Sequence, residues 1–397
     1  MICREMLMQP SLSNINFHYM LIFFDMKKNF NACIIMALIQ LGLTGLVKAQ
    51  LTALPDGDNK RAAVSEQIGL TDVEIRYSRP AVKNREGHIW GELVPAGFVY
   101  QGFGPSKSAP WRAGANECTS IEFSTGVKIE GQPLPAGKYG FFVAYGADEC
   151  TLIFSKNSTS WGAFFYKPEE DALRVKVKPV AAEKSVERLK YEFTGQTQGS
   201  AIVQLQWEKL IIPFKIETDL INNQLASFKR ELRGEKGFAW EGFDQAATFC
   251  AQHKINLDEA LLWTDTATSK IFGGSQSFQA WSTKAMVLDS LGRYTEAEAA
   301  MKTALPFGTS NELYRYARTL IAAKKAKEAL AILKMSYDKH PNEFITNAGM
   351  GRAYSALGDY KKALTYIRKA GAIAPNKNNK DAMEKLAKAL QEGKDIN

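Results

Sequence analysis

The sequence predicts an α+β protein in two domains, an antiparallel β-sandwich followed by an α-helical repeat solenoid. Three observations predict it. From about residue 70 to 217 apolar residues recur with period two, and no helical stretch intervenes. From residue 218 the period becomes 3.6. Beyond residue 241 a helix-pair pattern returns four times. With 397 residues, 45% hydrophobic and 23% charged, the chain has material for more than one core.

The N-terminus reads as a targeting segment. Met26-Lys27-Lys28 precedes the apolar run ACIIMALIQLGLTGL (32–46) and then Val47-Lys48-Ala49-Gln50. A basic start, a short apolar run and a small residue closing an A-x-A-like site make a secretory signal. The run falls short of the roughly 18–20 residues of a spanning helix, and Gln40, Gly42 and Gly45 interrupt it. Residues 1–49 are therefore expected to be a signal peptide, with Met26 as the start and cleavage between Ala49 and Gln50. The expected product is periplasmic or secreted, with no membrane span after cleavage. No Cys directly follows the run, so lipid attachment there is not expected. Removing residues 1–49 leaves 46 basic against 40 acidic residues. They are interspersed without a basic block, so no nucleic-acid partner is expected.

Residues 50–69 read as a lead-in and 70–217 as the sandwich. The strand-like runs are DVEIRYS (72–78), TSIEFS (119–124), KYGFFVAY (138–145), TLIFS (151–155), ALRVKVK (172–178), RLKYEF (188–193), AIVQLQWE (201–208) and IIPFKIE (211–217). KIEGQPLPAGKYG (128–140) reads as two short strands joined by Gly/Pro turns. Pro213 lies inside a run, so its strand is expected at an edge or beginning at the proline. Trp207 continues the register of Val203 and Leu205 and is expected in the core. Cys118, Cys150 and Cys250 do not make a disulfide framework. Cys118 and Cys150 both open strand runs and could pair, but two small buried thiols are the favoured reading.

Residues 218–234 read as a linker helix. Ile221, Leu225, Phe228 and Leu232 fall on one stripe, and Gly234 stands where a left-handed cap is expected. Residues 235–392 then carry the repeats. FQAWSTKAMVLDSLGRYTEAEAAMKTAL (278–305) aligns with FITNAGMGRAYSALGDYKKALTYIRKAGAIAP (344–375), both carrying L-G-x-Y-x-x-A. Weaker copies run over 311–341 and 241–267. The pattern resembles the tetratricopeptide repeat through Trp281, Ala285, Leu288, Gly292, Tyr294, Ala297 and Ala304, and through Gly351, Tyr354, Gly358, Tyr360, Ala363, Ala370 and Pro375. Small residues let paired helices approach, and Gly292 and Gly358 turn the chain. The copy at 241–267 departs at Asp244 and Thr248, where apolar residues are wanted. KDAMEKLAKALQE (380–392) is expected to cap the stack.

The first half resembles a family of secreted bacterial proteins, Domain of Unknown Function 2911. The residues are YSRPAVKNREGHIWGELVPAG (77–97), APWRAGANECTSIEFS (109–124), LPAGKYGFF (134–142), TSWGAFFY (159–166), LRVKVKP (173–179) and VQLQWEKLIIPFKIE (203–217). The resemblance implies a β-rich envelope domain, and members with a tetratricopeptide tail are familiar. It supplies no activity. Cys118 departs from the small or polar residue usual there.

Within these motifs, WRAGANE (111–117) is the densest cluster of chemistry. One reading is a pinned strand entry, with Arg112 and Glu117 paired across the turn and Trp111 as a hydrophobic peg. The sharper reading is a ligand cleft for a sugar or an anionic small molecule. There Arg79, Arg112, Asn116 and Glu117 would give polar contacts, and Trp111 and Trp161 flat faces. In the helical half, Met286, Arg318 and Arg352 fall at equivalent inner positions, with Tyr314 one turn before Arg318. The two arginines could grip a carboxylate or an acidic peptide. Ser282, Tyr314 and Ala348 stand at the first position of the Lys/Asn carboxylate clamp some repeat proteins use, so that clamp is not reproduced.

Catalytic signatures are missing. His88, His253 and His340 are scattered, and no H-E-x-x-H, G-x-S-x-G or phosphate loop occurs. Glu117 and Glu122, five apart at a strand start, should face opposite sides. No catalytic residue, metal site or cofactor is expected. The expected role is non-catalytic: the repeats dock a protein or peptide and the sandwich gives a second surface. The alternatives are glycan or small-molecule binding by the sandwich, and an envelope hydrolase using Glu117 or His88.

Overall fold

Alternation of buried and exposed side chains builds the first half. The computed structural model describes residues 59–397. The expected signal peptide and its cut site lie outside the described residues. A six-stranded antiparallel sheet has the order β1-β2-β3-β6-β7-β8: β1 Lys60–Ile68, β2 Thr71–Arg79, β3 Thr119–Phe123, β6 Gly137–Ala144, β7 Cys150–Ser155 and β8 Asp171–Val177. A four-stranded sheet has the order β5-β4-β10-β9, from β4 Val127–Ile129, β5 Gln132–Leu134, β9 Val180–Thr194 and β10 Ser200–Thr218. One apolar core joins them. Val73, Ile121, Phe141 and Leu152 come from the first sheet; Ile129, Leu189, Val203, Trp207 and Phe214 come from the second. This is the antiparallel sandwich the period-two runs predict.

Three features depart from the sequence reading. The sandwich begins at Lys60 rather than near residue 70. Strand β1 carries little period-two signal because it is an edge strand with a mostly exposed outer face; Val64 and Ala62 are only half-buried. Second, the two runs around Glu208 form one strand, β10, with Glu208 at a bulge and a left-handed φ of 52°. Third, Pro213 lies in the middle of β10, which is an interior strand by sheet order. It is tolerated because β10 changes partners there: its ladder with β9 ends at Ile211, and its ladder with β4 starts at Ile216. A residue without an N–H loses nothing at that point.

Helix α1 (Leu220–Glu231) starts at Asp219, whose carboxylate accepts the Asn222 N–H at 3.0 Å. Asn223 Nδ2 donates to Thr71 Oγ1 at 3.2 Å and Thr125 Oγ1 at 3.0 Å, tying the helix to the end of the sandwich. Leu225, Phe228 and Leu232 pack on the first helical cluster, whereas Ile221 is exposed. Gly234 is extended, with φ −111°, instead of capping in the left-handed region; the chain leaves the helix through Leu232 in the right-handed region.

Four helix pairs follow: α2 Trp240–His253 with α3 Leu257–Ala267, α4 Phe278–Ser290 with α5 Tyr294–Ala304, α6 Ser310–Ala322 with α7 Ala326–Lys339, and α8 Phe344–Ala356 with α9 Tyr360–Ala372. Helix α10, Lys377–Gln391, covers the last pair through Met383 and Leu390. Gly292 and Gly358 turn their pairs with φ of 75° and 79°. Gly351 lets α8 approach α9 closely, since a Cβ there would lie 2.6 Å from Ile367. The polar departures of the first copy are matched across to α4. Asp244 Oδ2 accepts from Gln279 Nε2 at 2.6 Å, and Thr248 and Thr283 hydroxyls meet at 3.2 Å.

Candidate functional site

The turn before β3 is pinned by side chains on its own carbonyls. Trp111 Nε1 donates to the Gly114 carbonyl at 3.2 Å, and Arg112 Nη1 to the Asn116 carbonyl at 2.8 Å. The Ala113 carbonyl accepts from Thr119 Oγ1 at 2.9 Å and from Tyr191 Oη at 2.7 Å. Ala113 and Asn116 hold left-handed φ of 51° and 59°, a strained conformation for an alanine that is fully buried. Gly114 is needed for close approach: a Cβ there would lie 2.8 Å from Thr119 Oγ1. Arg112 packs over the Phe164 ring, 5.5 Å from its centre, and a side chain on Gly162 would meet its Nη1 at 2.9 Å. Burial holds the Arg112 guanidinium below its ordinary pKa.

The expected ion pair across this turn does not form. Glu117 pairs with Arg61 of β1 and accepts from Ser78 Oγ at 3.4 Å, while Arg112 turns inward to the backbone. The missed strand β1 supplies the competing cation. Trp111 is a peg in part: it stacks on Trp207 at 6.1 Å and meets Trp90 edge-on at 5.6 Å.

Two cavities flank the turn. One of about 330 Å³ is lined by Trp111, Arg112 and Asn116 together with Asn59, Arg85 and Gln101. The other, about 480 Å³, is lined by Glu117 with Arg61, Arg76, Tyr77, Ser78 and Cys118. Thus the structure joins three of the candidate residues in one cavity and places Glu117 in its neighbour. Arg79 lines neither; its Nε donates to the Leu189 carbonyl at 2.9 Å, linking β2 to β9. Trp161 also lines neither and is 56% exposed, its backbone bridged to Glu117. Arg85 was not singled out from the sequence, although it lies within a quoted motif. Nothing local to residues 82–88 marks it as facing residues 111–116.

The groups named for hydrolysis are engaged elsewhere. His88 Nδ1 lies 3.0 Å from Glu92 on the surface. Cys118 and Cys150 are free and buried, and burial pushes both thiols up, away from the reactive thiolate. Among the described residues no group of three or more His, Cys, Asp or Glu could hold a metal. No helix among them is long and apolar enough to cross a membrane.

In the helical half, Tyr314 and Arg318 sit on α6, with 3.4 Å between Tyr314 Oη and Arg318 Nη1. Arg352 of α8 is engaged by the chain itself. Its Nη1 donates to the Ile396 carbonyl, and its own carbonyl accepts from Asn397 Nδ2 at 3.0 Å. Ser355 Oγ donates to Asp395 at 2.6 Å and accepts the Ile396 N–H at 3.1 Å. Ile396 is buried among Ala348, Ala363 and Met383. Beyond this segment a cavity of about 280 Å³ is lined by Arg318, Lys324, Asp395 and Asn397. The two arginines therefore do not present one open face. The segment after α10 lies between them, which helix periodicity cannot foresee.

Comparison with known proteins bears on both halves. Residues 59–216 match the family model described as Protein of unknown function (DUF2911), and residues 278–305 and 346–377 match a tetratricopeptide-repeat model. No curated protein matches the chain. Similar solved structures include "YrrB: a TPR protein with an unusual peptide-binding site", 18% identical over 42% of this chain and 84% of that one, with a TM-score of 0.28. The C-terminal part of a TPR repeat-containing protein from Cytophaga hutchinsonii is 16% identical over 43% of this chain and 67% of its own, at 0.33. MamA from Desulfovibrio magneticus RS-1 is 18% identical over 40% and 92%, at 0.27. The family matches and the sheet and helix order agree: residues 59–216 are matched as a DUF2911 domain, and the helical half carries tetratricopeptide repeats.

Proposed function

We propose that the protein is an exported, non-catalytic docking protein whose helical repeats hold a peptide segment of a protein partner, with the sandwich as a second surface. The observation that carries this reading is the docked segment Gly393–Asn397. An acidic residue, an aliphatic residue and a polar residue lie across α8, held by Arg352 and Ser355 through both backbone and side chain. Main-chain hydrogen bonds give affinity, and the burial of Ile396 gives selectivity. Arg318 and Lys324 stand at the exposed end of this track and suit an acidic continuation of a bound peptide. The chain's own segment then competes with the partner for Arg352 and Ser355.

A labelled Gly-Lys-Asp-Ile-Asn peptide tests this by fluorescence polarisation. A chain ending at Glu392 should bind it saturably, the full-length chain at least tenfold more weakly, and Arg352→Glu in the shortened chain not at all. A folded shortened chain that ignores the peptide would sink the reading. Export is a separate part of the proposal, supported by residues 26–50; sequencing the mature N-terminus should find Gln50 first.

A further inference from the structure

The cavity beside Trp111 has an imbalance of charge. Two arginines, Arg85 and Arg112, line it, and no carboxylate does. Most arginines elsewhere in the sandwich behave differently: Arg61, Arg76 and Arg174 each meet an acid. Among the described residues neither Arg85 nor Arg112 has an ion-pair partner. Both spend donors on backbone carbonyls. Arg85 Nε reaches Val82 at 2.9 Å and its Nη2 reaches Ala81 at 2.7 Å; Arg112 Nη1 reaches Asn116. A guanidinium has five N–H donors, so each retains several. These contacts fix the planes of the two groups without neutralising them, and the burial of the Arg112 guanidinium is unfavourable unless an anion joins it.

The rest of the wall is suited to the same task. Asn59, Gln101 and Asn116 bring amides, with Asn59 Nδ2 3.4 Å from Asn116 Oδ1, which leaves the Asn116 amide nitrogen uncommitted. Trp207 also contributes to the wall, and its indole N–H is buried with no acceptor. Trp111 supplies an apolar surface held in place by its stack on Trp207. At about 330 Å³ the cavity is within the range of small-molecule sites and too small for a folded partner. From this we infer that the cavity binds a small organic anion, its carboxylate or phosphate held by Arg85 and Arg112 and its body lying against Trp111.

Glucuronate and glucose 6-phosphate present the two oxyanions on similar rings, and glucose is the neutral control. Isothermal titration and thermal shift on the full chain should show one-to-one binding of at least one anion, raised melting temperature, and no response to glucose. Arg112→Gln and Arg85→Gln should each weaken binding at least tenfold, whereas Arg61→Gln at the neighbouring cavity should not. Which anion binds separates carboxylate from phosphate recognition. Should Arg112→Gln fail to fold, Arg85→Gln decides alone, since its loop is surface-bound. Silence toward both anions, or binding that survives in both variants, would overturn the inference.

Discussion

The sandwich and the helical repeats hold their polar side chains in opposite ways. The sandwich adds to its local turn bonds a set that joins distant parts of the chain: Tyr191 to Ala113, Arg79 to Leu189, and the Gly87 N–H to Glu208. In the repeats many are one turn long, such as Lys302 with Glu298 and Lys334 with Asp338. Antiparallel sheets assemble from non-local pairs, whereas stacked helix pairs touch mainly their neighbours. The sandwich should therefore respond to damage as one body, and the repeats should respond locally.

The largest expected effect breaks or supports that contrast directly. Trp207 is fully buried and supports both Trp90 and Trp111. Replacing it with Ala should cost about 3–5 kcal/mol. Hydrogen exchange followed by mass spectrometry should show protection falling throughout residues 60–218. Ile367→Ala, an equally buried site in α9, should lower protection in α8 to α10 and leave α2 to α5 unchanged. Uniform loss in both cases would remove the distinction.

That contrast also governs what was legible in the sequence. The repeats were read from their helix periodicity down to Gly292 and Gly358, because a helix shows its buried face within a few residues. Strands β2, β3, β6 and β7 were legible for the same reason at period two. Strand β1 was not, since an edge strand with half-buried Ala62 and Val64 carries a weak signal. The site followed suit. The turn residues Trp111, Arg112 and Asn116 stand together in sequence and line one cavity. Arg85, Asn59 and Trp207 complete it from other loops and strands, and their joining depends on sheet register. Glu117 reads as a partner for Arg112 because its actual partner, Arg61, belongs to the edge strand with the weak signal.

A smaller effect is expected where the repeats break their own local rule. Asp244 is buried between α2 and α4, and burial pushes its carboxyl above the usual range. The folded chain thus binds this proton more tightly than the unfolded chain, whose value is about 3.9. Stability is fullest below that pH and falls as pH rises through the folded-state value, so the cost is carried by the ionised form of the folded chain. Asp244→Asn keeps an acceptor for Gln279 and removes the charge. It should add about 1 kcal/mol at pH 7, read from urea denaturation, with the gain shrinking toward pH 4. A gain that does not change with pH would place its origin in packing.

The smallest effect compares the repeats with one another. The second and fourth pairs turn through Gly292 and Gly358, but the third turns through Lys324, at a φ of 65°. A side chain in the left-handed region costs roughly 1 kcal/mol relative to glycine. Glycine recovers less than that, because it also gives the unfolded chain more freedom. Lys324→Gly should therefore stabilise by about 0.5 kcal/mol, with slower exchange confined to α6 and α7. If Lys324 instead serves the bound segment through the cavity it shares with Asp395 and Asn397, the same change weakens peptide binding in the shortened chain while stability still rises. A rise in stability without loss of binding assigns Lys324 to the turn alone, and opposite movement of the two assigns it to the groove.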